Sequence, residues 1–397
     1  MKLSIIIVSY NVKHYLHQCI DSLLKAVKDI DAEICVIDNH SKDGTVDSLK
    51  SYGKNIKIIA SPHNNGFAKA NNIAIRQTSG DYVLLLNPDT FVSENAIKDC
   101  LEFMDAHADA GGLGVQMLKS DGSKALESRR GLPTPMTSFY KMCGLCAKYP
   151  TNKRFGKYYM CDMSWDEPGR IEIISGAFFM ARRSALDKIG LLDEDFFMYG
   201  EDIDLSYRLL KKGYSNWYLP VKILHYKGES TQKSSFRYVH VFYVAMLIFF
   251  RKHYGHLSFW LCIPIKMAIY IKATFALMKM LTEKVNKTLG FTNKHGNKSP
   301  RYIFIGSAKS IKACREIAAR NGLDAEFYES DETSNNGGHA RFIENAGNNL
   351  VYAVYDVSSY KYETILNIFS KNVKNNILIG TYHPKYNIII TDNEIIS

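Results

Sequence analysis

The sequence predicts an α/β protein whose first part is a mainly parallel sheet covered by helices. Three observations predict it. Short apolar, often β-branched runs recur at Leu3 to Val8, Ile34 to Ile37 and Tyr82 to Leu86, and runs of that length bounded by turn residues read as buried parallel strands. Stretches of helical spacing separate them. Each run also ends on polar residues of one kind: Ser9-Tyr10-Asn11, Asp38-Asn39 and Asn87-Pro88-Asp89. In an open α/β sheet, ligands sit beyond the carboxyl ends of the strands. Tyr10, Asp38 and Asp89 are therefore expected on one rim, where two carboxylates suit a nucleotide and a metal.

Taken in order, Val12 to Ala26 has helical spacing, and Asp43-Gly44-Thr45 opens a short helix to Tyr52. Ile56 to Ala60 reads as a strand, Phe67 to Gln77 as a helix and Tyr82 to Leu86 as a strand. Ser93 is the expected N-cap, with Glu94 in the first turn, of a helix to about His107. Gly112 to Leu118 reads as one more strand. Strands alternating with helices imply helices on both faces of the sheet. From Ser120 to Asp166 periodicity is poor and Gly, Pro, Lys and Arg are frequent, so loops beside the site are expected. Order returns at Ile171 to Met180. Thr288 to Ser299 is polar and reads as a linker. Beyond it, strands at Tyr302, Ala325, Leu350, Ile377 and Ile388, with helices Ser310 to Arg320 and about Tyr360 to Phe369, predict a second small α/β domain. Its first turn, Gly306-Ser-Ala-Lys-Ser, lacks a G-x-G-x-x-G fingerprint.

Composition narrows the class. The 397 residues are 46% hydrophobic and 23% charged, as in a globular protein. Met1-Lys2-Leu3 leads straight into a strand, so no signal peptide is expected. The eight cysteines are scattered, apart from Cys143-Gly-Leu-Cys146 with Cys161 nearby; reduced thiols in a cytoplasmic protein are expected. Charge is uneven. From Leu205 to Pro300 there are 16 Lys and Arg against Glu229 and Glu283, a surplus larger than the +10 of the whole chain. A local basic excess points to a polyanion. Between His256 and Leu281 the lysines sit inside an apolar segment. At about 100° per residue, Lys266, Lys272, Lys279, Glu283, Lys284 and Lys287 fall within roughly 140°. Trp260, Ile263, Met267, Ile271, Phe275, Met278 and Leu281 fill much of the opposite side. Charges so frequent argue against a spanning helix and fit one lying on an anionic membrane surface rather than a nucleic-acid interface; an amphipathic helix packed on its own protein is the alternative.

Several blocks now identify a resemblance. Ser4-Ile-Ile-Ile-Val-Ser-Tyr-Asn11, Val36-Ile-Asp-Asn-His-Ser-Lys-Asp-Gly-Thr45, Asn64-Asn-Gly-Phe-Ala-Lys-Ala-Asn-Asn72 and Leu84-Leu-Leu-Asn-Pro-Asp-Thr90 resemble family 2 glycosyltransferases. They look closest to the rhamnosyltransferase-like branch of bacterial surface-polysaccharide assembly. Gly176-Ala-Phe-Phe-Met180 and Phe197-Met-Tyr-Gly-Glu-Asp-Ile-Asp-Leu-Ser-Tyr-Arg208 extend the match over residues 2–232. The fold implied is GT-A. The implied division is a catalytic domain at 1–235, amphipathic membrane-surface helices at 236–287, a linker at 288–299 and a small α/β domain at 300–397.

The resemblance implies that Asp38 accepts the imide N–H of a uracil or thymine, with Tyr10 flanking the base; capping of the following turn is the competing role for Asp38. Ser9, Asn39, Asn64, Asn65, Gly66, Lys69, Asn87 and Gly176 complete the implied nucleotide-sugar site. Gly permits close approach of the backbone, and a helix N-terminus favours phosphate. Asp89 is the implied ligand of Mn²⁺ or Mg²⁺, which neutralises charge growing on a departing diphosphate. Many relatives carry D-x-D where this chain has Asn87-Pro88-Asp89, which leaves out one carboxylate. His225 stands where relatives often supply a histidine ligand, although a structural histidine is the plainer reading. Lys227 and Ser230 follow it toward the diphosphate.

Inverting transfer needs a base for the acceptor hydroxyl. The resemblance gives that role to Asp202, with Glu201 as second candidate; clustered acids raise one another's proton affinity. A solvated acidic helix start is the alternative. Asp204 stands four residues before Arg208 and reads as its ion-pair partner. Arg129 and Arg130 read as phosphate binders or as a solvated basic loop, Arg182 and Arg183 as surface or ion-pair residues. The resulting expectation is an inverting, metal-dependent glycosyltransferase. It uses a dTDP- or UDP-sugar and a glycan acceptor carried on a polyprenyl diphosphate, at the inner face of the bacterial cytoplasmic membrane. A sugar nucleotidyltransferase is the competing enzyme, but Ser9-Tyr-Asn-Val-Lys-His lacks the Gly- and Arg-rich loop it needs. A non-catalytic membrane- or polyanion-binding module would leave Asp89 and Asp202 without a task.

Overall fold

The computed structural model describes residues 1–142, 144–149, 151–152, 154–226, 236–255, 274, 278, 282, 299–335, 337–343 and 349–397. The β-branched runs become a parallel set: β1 (Leu3–Ser9), β2 (Ala32–Asp38), β3 (Lys57–Ala60) and β4 (Tyr82–Leu86). β1 lies between β2 and β4, and its register sets Ser9 beside Asp38 and Ile7 beside Leu86. All three carboxyl ends therefore meet at one rim. The sheet then changes character. β5 (Thr90–Val92), β6 (Ala110–Leu118), β7 (Gly169–Ile171), β8 (Phe178–Arg182) and β9 (Ser215–His225) continue it in the order β3-β2-β1-β4-β8-β6-β9-β5, with β7 also on β9. β8 runs antiparallel to β4 and β6, and β5 antiparallel to β9.

Alternation along the strands fills both faces. Leu3, Ile5 and Ile7 pack under α1 (Lys13–Ala26), which contributes Leu16, Ile20 and Leu23. Ile6, Val8, Val83 and Leu85 face the other way, against Ala68 and Ala74 of α3 (Gly66–Ile75) and Leu205 and Leu209 of α8 (Glu201–Lys211). Between these lie α2 (Thr45–Leu49), α4 (Ala96–Ala106), α5 (Pro135–Met142), α6 (Leu145–Lys148) and α7 (Arg183–Ile189). The irregular stretch after Ser120 thus holds short helices as well as loops.

Two local expectations are corrected. Ser93 does not cap α4: the cap is Asn95, without a side-chain bond, and Glu94 turns to another helix. Arg182 and Arg183 are not solvent residues. Arg182 binds the carbonyls of Met104 in the last turn of α4 and His107 just past it, and Arg183 binds the Gly80 carbonyl.

The apolar run near Val241 belongs to α9 (Phe236–Tyr254). Within 236–287, this part does not lie free for a membrane along its whole surface. Ala245, Met246, Phe249 and Phe250 are buried with Phe196 and Ile203, and Lys252 pairs with Asp193 and Asp195. The lysine stripe after His256 and the linker up to residue 298 lie outside the described residues, except Thr274, Met278 and Thr282, which are exposed.

The second sheet orders β10 (Arg301–Gly306), β11 (Asp324–Glu329), β12 (Val351–Asp356), β13 (Ile377–His383), β14 (Ile388–Ile390) and β15 (Ile395–Ile396) as β11-β10-β12-β13-β14-β15. Helices α10 (Ala308–Asn321) and α11 (Tyr362–Lys371) accompany it. It docks on the first domain through a common core. Tyr15, Phe91, Leu118, Leu224 and Tyr226 are buried with Tyr362, Ile365, Leu366 and Phe369. Glu94 caps α11, its carboxylate accepting from the N–H groups of Tyr362 and Glu363 at 2.9 Å each. Gln18 donates to Thr381 and Tyr15 to the Thr391 carbonyl.

Candidate functional site

A pocket opens at the rim where β1, β2 and β4 end. Its wall includes Tyr10, Asn39, Asn64, Gly66, Asn87, Asp89, Gly176, Glu201, Asp202 and His225. Asp38 lies just behind it, 2% exposed at the end of β2. One of its oxygens, Oδ2, accepts from the Ser41 N–H at 2.9 Å, so the expected turn cap exists. The other, Oδ1, is buried without a hydrogen-bond partner among the described residues. An unpaired buried carboxylate oxygen is costly, and a base imide N–H is a donor of the right kind. Tyr10 stands at the mouth, 43% exposed, where its ring can flank a base. Ser9 is buried, and its Oγ also lacks a partner.

The neighbouring asparagines do other work. Asn39 donates to Asn64 Oδ1 and to the Gly66 carbonyl, and accepts from the Asn65 N–H. Asn64 Oδ1 also takes the Gly66 N–H at 3.0 Å. These side chains shape the loop, and that amide is already occupied. Gly66 has φ +76°, and a Cβ there would meet the Phe197 carbonyl oxygen at 2.4 Å, so only glycine fits. Lys69 points away: it is exposed on α3 and absent from the pocket wall.

Asp89 is 1% exposed on the pocket wall. His225, at the end of β9, sets Nε2 at 3.3 Å from its Oδ1, and Asn87 Nδ2 is 3.2 Å from the same nitrogen. β5 creates this meeting, since its register places Thr90 opposite His225. A buried carboxylate oxygen and an imidazole nitrogen fit Mn²⁺ or Mg²⁺ when phosphate oxygens and water complete the set. Among the described residues no third His, Cys, Asp or Glu joins them. Lys227 and Ser230 lie outside the described residues.

The acids at the start of α8 separate into three environments. Asp204 is paired with Arg208 Nε at 2.7 Å and His253 Nε2 at 2.6 Å, and these partners hold it below the usual carboxylate range despite burial. It is structural, as the spacing predicted. Glu201 is 5% exposed, and its Oε2 has no hydrogen-bond partner among the described residues. Burial first, then the Asp202 charge, push its carboxyl up to about 8. Asp202 accepts from the N–H groups of Gly176 at 3.1 Å and Ile203 at 2.8 Å.

The residue the sequence misplaced is Arg130. It does not lie in a solvated loop: it is on the pocket wall, its Nη2 2.5 Å from Asp202 Oδ2, with side chains 11% and 14% exposed. Arg129 is buried too, its guanidinium 3.6 Å from the Trp165 ring centre and bound to the carbonyls of Met163 and Ser164. Nothing in the local pattern signals either placement, because the partners lie 34 to 72 residues away.

Residues 4–190 match the family model "Glycosyl transferase family 2". N-acetylglucosaminyl-diphospho-decaprenol L-rhamnosyltransferase of Mycobacterium tuberculosis is 27% identical over 241 residues, 58% of this chain and 77% of that one. Poly(ribitol-phosphate) beta-N-acetylglucosaminyltransferase TarS of Staphylococcus aureus is 28% identical over 140 residues, 34% of this chain but only 23% of the relative. Among solved structures, a mannosyltransferase of Pyrobaculum calidifontis in complex with GDP-Man and Mn²⁺ aligns at 14% identity with a TM-score of 0.46, covering 74% of this chain and 81% of that one. Residues 4–190, from β1 to α7, thus form a glycosyltransferase family 2 domain.

Proposed function

We propose that this enzyme moves a sugar from a dTDP- or UDP-sugar, with inversion, to a hydroxyl of a glycan carried on a polyprenyl diphosphate. The observation that carries the reading is the convergence at one pocket of the Asp89–His225 pair and the Glu201–Asp202 pair, with Asp38 and its buried unpaired oxygen just behind the wall. Asp38 Oδ1 takes the base imide N–H and Tyr10 flanks the ring. Asp89 and His225 would hold a divalent cation, which would neutralise charge on the departing diphosphate. Asp202 removes the acceptor proton. Glu201, with its raised proton affinity, is largely protonated at neutral pH and is the weaker candidate. The nucleotidyltransferase alternative gains nothing from the Asp202 environment.

The lipid-linked acceptor is supported by the decaprenol-linked substrate in the mycobacterial relative's name. The basic surplus of residues 205–300 supports attachment to the inner membrane face. No helix among the described residues is long and apolar enough to cross a membrane. In this reading residues 1–235 catalyse, 236–287 meet the membrane, 288–299 link, and 300–397 support the strands beneath the site.

A panel of nucleotide sugars, assayed for hydrolysis and transfer with and without Mn²⁺, tests the reading. One UDP- or dTDP-sugar should be consumed in a Mn²⁺-dependent manner. Asp202→Asn should bind nucleotide yet turn over at least ~100-fold more slowly, the scale of a lost general base. Full activity of Asp202→Asn would remove the proposed base.

A further inference from the structure

Arg130 is largely buried on the wall of the pocket, its side chain 11% exposed. Its backbone carbonyl accepts from the Ile173 N–H at 2.8 Å, and the Gly131 N–H binds the Tyr158 carbonyl at 2.9 Å. Both contacts fix the chain at the root of the side chain. The guanidinium Nη2 then forks between the Ile174 carbonyl at 2.8 Å and Asp202 Oδ2 at 2.5 Å. Asp202 thereby receives three donors: Arg130 and Gly176 on Oδ2, and Ile203 on Oδ1. A carboxylate offers about four acceptor sites. The one remaining lies on Oδ1, so the carboxylate has a single orientation and a single vacancy for an incoming proton.

We propose that Arg130 is a positioning residue of the transfer reaction, holding Asp202 turned so that its one open lone pair meets the acceptor hydroxyl. This rests on the reading of Asp202 as the base. The charged and titratable groups around the pair are Glu201 beside Asp202, Asp204 in the same first turn of α8, and Tyr158 and Glu127 on the Arg130 side. Asp204 is already neutralised by Arg208 and His253. Arg130 is thus the cation bonded to Asp202 among the described residues, facing a second acid that burial already drives toward protonation. Without it, Asp202 loses the donor that fixes its Oδ2, and the cation that offsets the neighbouring Glu201 charge is gone.

The test compares wild type, Arg130→Lys, Arg130→Gln and Asp202→Asn in the full chain. Each is assayed for kcat and KM from pH 5.5 to 9 with the donor found by the panel, and for UDP and dTDP affinity by calorimetry. In Arg130→Gln the acidic limb of kcat should move up by at least about one pH unit, a tenfold change at a fixed low pH. Its deficit should shrink as pH rises, with nucleotide affinity within about twofold of wild type. Arg130→Lys should keep the limb near the wild-type position with lower kcat, since an ammonium is a point charge that lacks the planar fork. If Arg130→Gln does not fold, Arg130→Lys carries the test through the position of its limb and its kcat. A deficit equal at every pH in Arg130→Gln, or wild-type kcat in Arg130→Lys, overturns the proposal. Wild-type activity of Asp202→Asn would instead overturn the base assignment, whatever Arg130 does.

Discussion

Glu201→Gln isolates the electrostatic cost built into the site. The glutamate titrates at 4.5 in an unperturbed chain and at about 8 in the folded protein, through burial and the Asp202 charge. Its folded proton affinity is raised, so between those values folding takes up a proton. Stability is therefore lost as pH rises through that window. The slope reaches about 1.4 kcal/mol per pH unit for one proton. From pH 5 to pH 7 the wild type should lose on the order of 2–3 kcal/mol that the glutamine variant does not. The absolute effect of the substitution includes burying an amide, but the pH-dependent difference does not. Urea unfolding of both proteins at pH 5, 6 and 7 reads it. The stability difference should move steadily in favour of the variant as pH rises. A difference that stays flat would mean that Glu201 is ionised and satisfied in the folded protein, and the division of roles between Glu201 and Asp202 would fail.

Other outcomes follow from the same geometry. Asp89→Ala should abolish the Mn²⁺-dependent part of donor turnover, and EDTA should do the same to wild type; a variant still stimulated by Mn²⁺ would place the metal elsewhere. Phe91→Ala empties a fully buried position between the two sheets and should cost about 3–5 kcal/mol of stability in urea unfolding. Glu94→Ala leaves two N–H groups of α11 without their cap and should cost about 1–2 kcal/mol. Hydrogen exchange should localise that loss to residues 362–371, and unchanged protection there would argue against the cap.

Much of this was legible in the sequence because local rules govern it. A parallel strand must be buried, so its apolar run is continuous and its polar terminus marks the rim; Asp38 and Asp89 were placed by that logic alone. Asp204 and Arg208 followed from helical spacing. What the sequence concealed depends on chain-distant partners. Glu94 looked like a first-turn acid of its own helix, yet it caps a helix 268 residues later. Arg130 looked solvated because its loop has no apolar period, and its burial depends on Asp202, 72 residues on. β5 escaped because three residues carry too little pattern, although it sets His225 beside Asp89. The cationic stripe after His256 was clear as a pattern, but a pattern does not say whether protein or membrane receives its apolar side.

The central claim is that Asp38 reads a pyrimidine while Asp89 holds the diphosphate end of the same molecule. Calorimetric titration of UDP and dTDP, with and without Mn²⁺, into wild type, Asp38→Ala and Asp89→Ala tests it most directly. Wild type should bind in the presence of Mn²⁺. Asp38→Ala should weaken binding at least ~10-fold with or without the metal, the scale of one charge-assisted hydrogen bond, whereas Asp89→Ala should lose only the gain that Mn²⁺ brings. Wild-type affinity in both variants would contradict the claim.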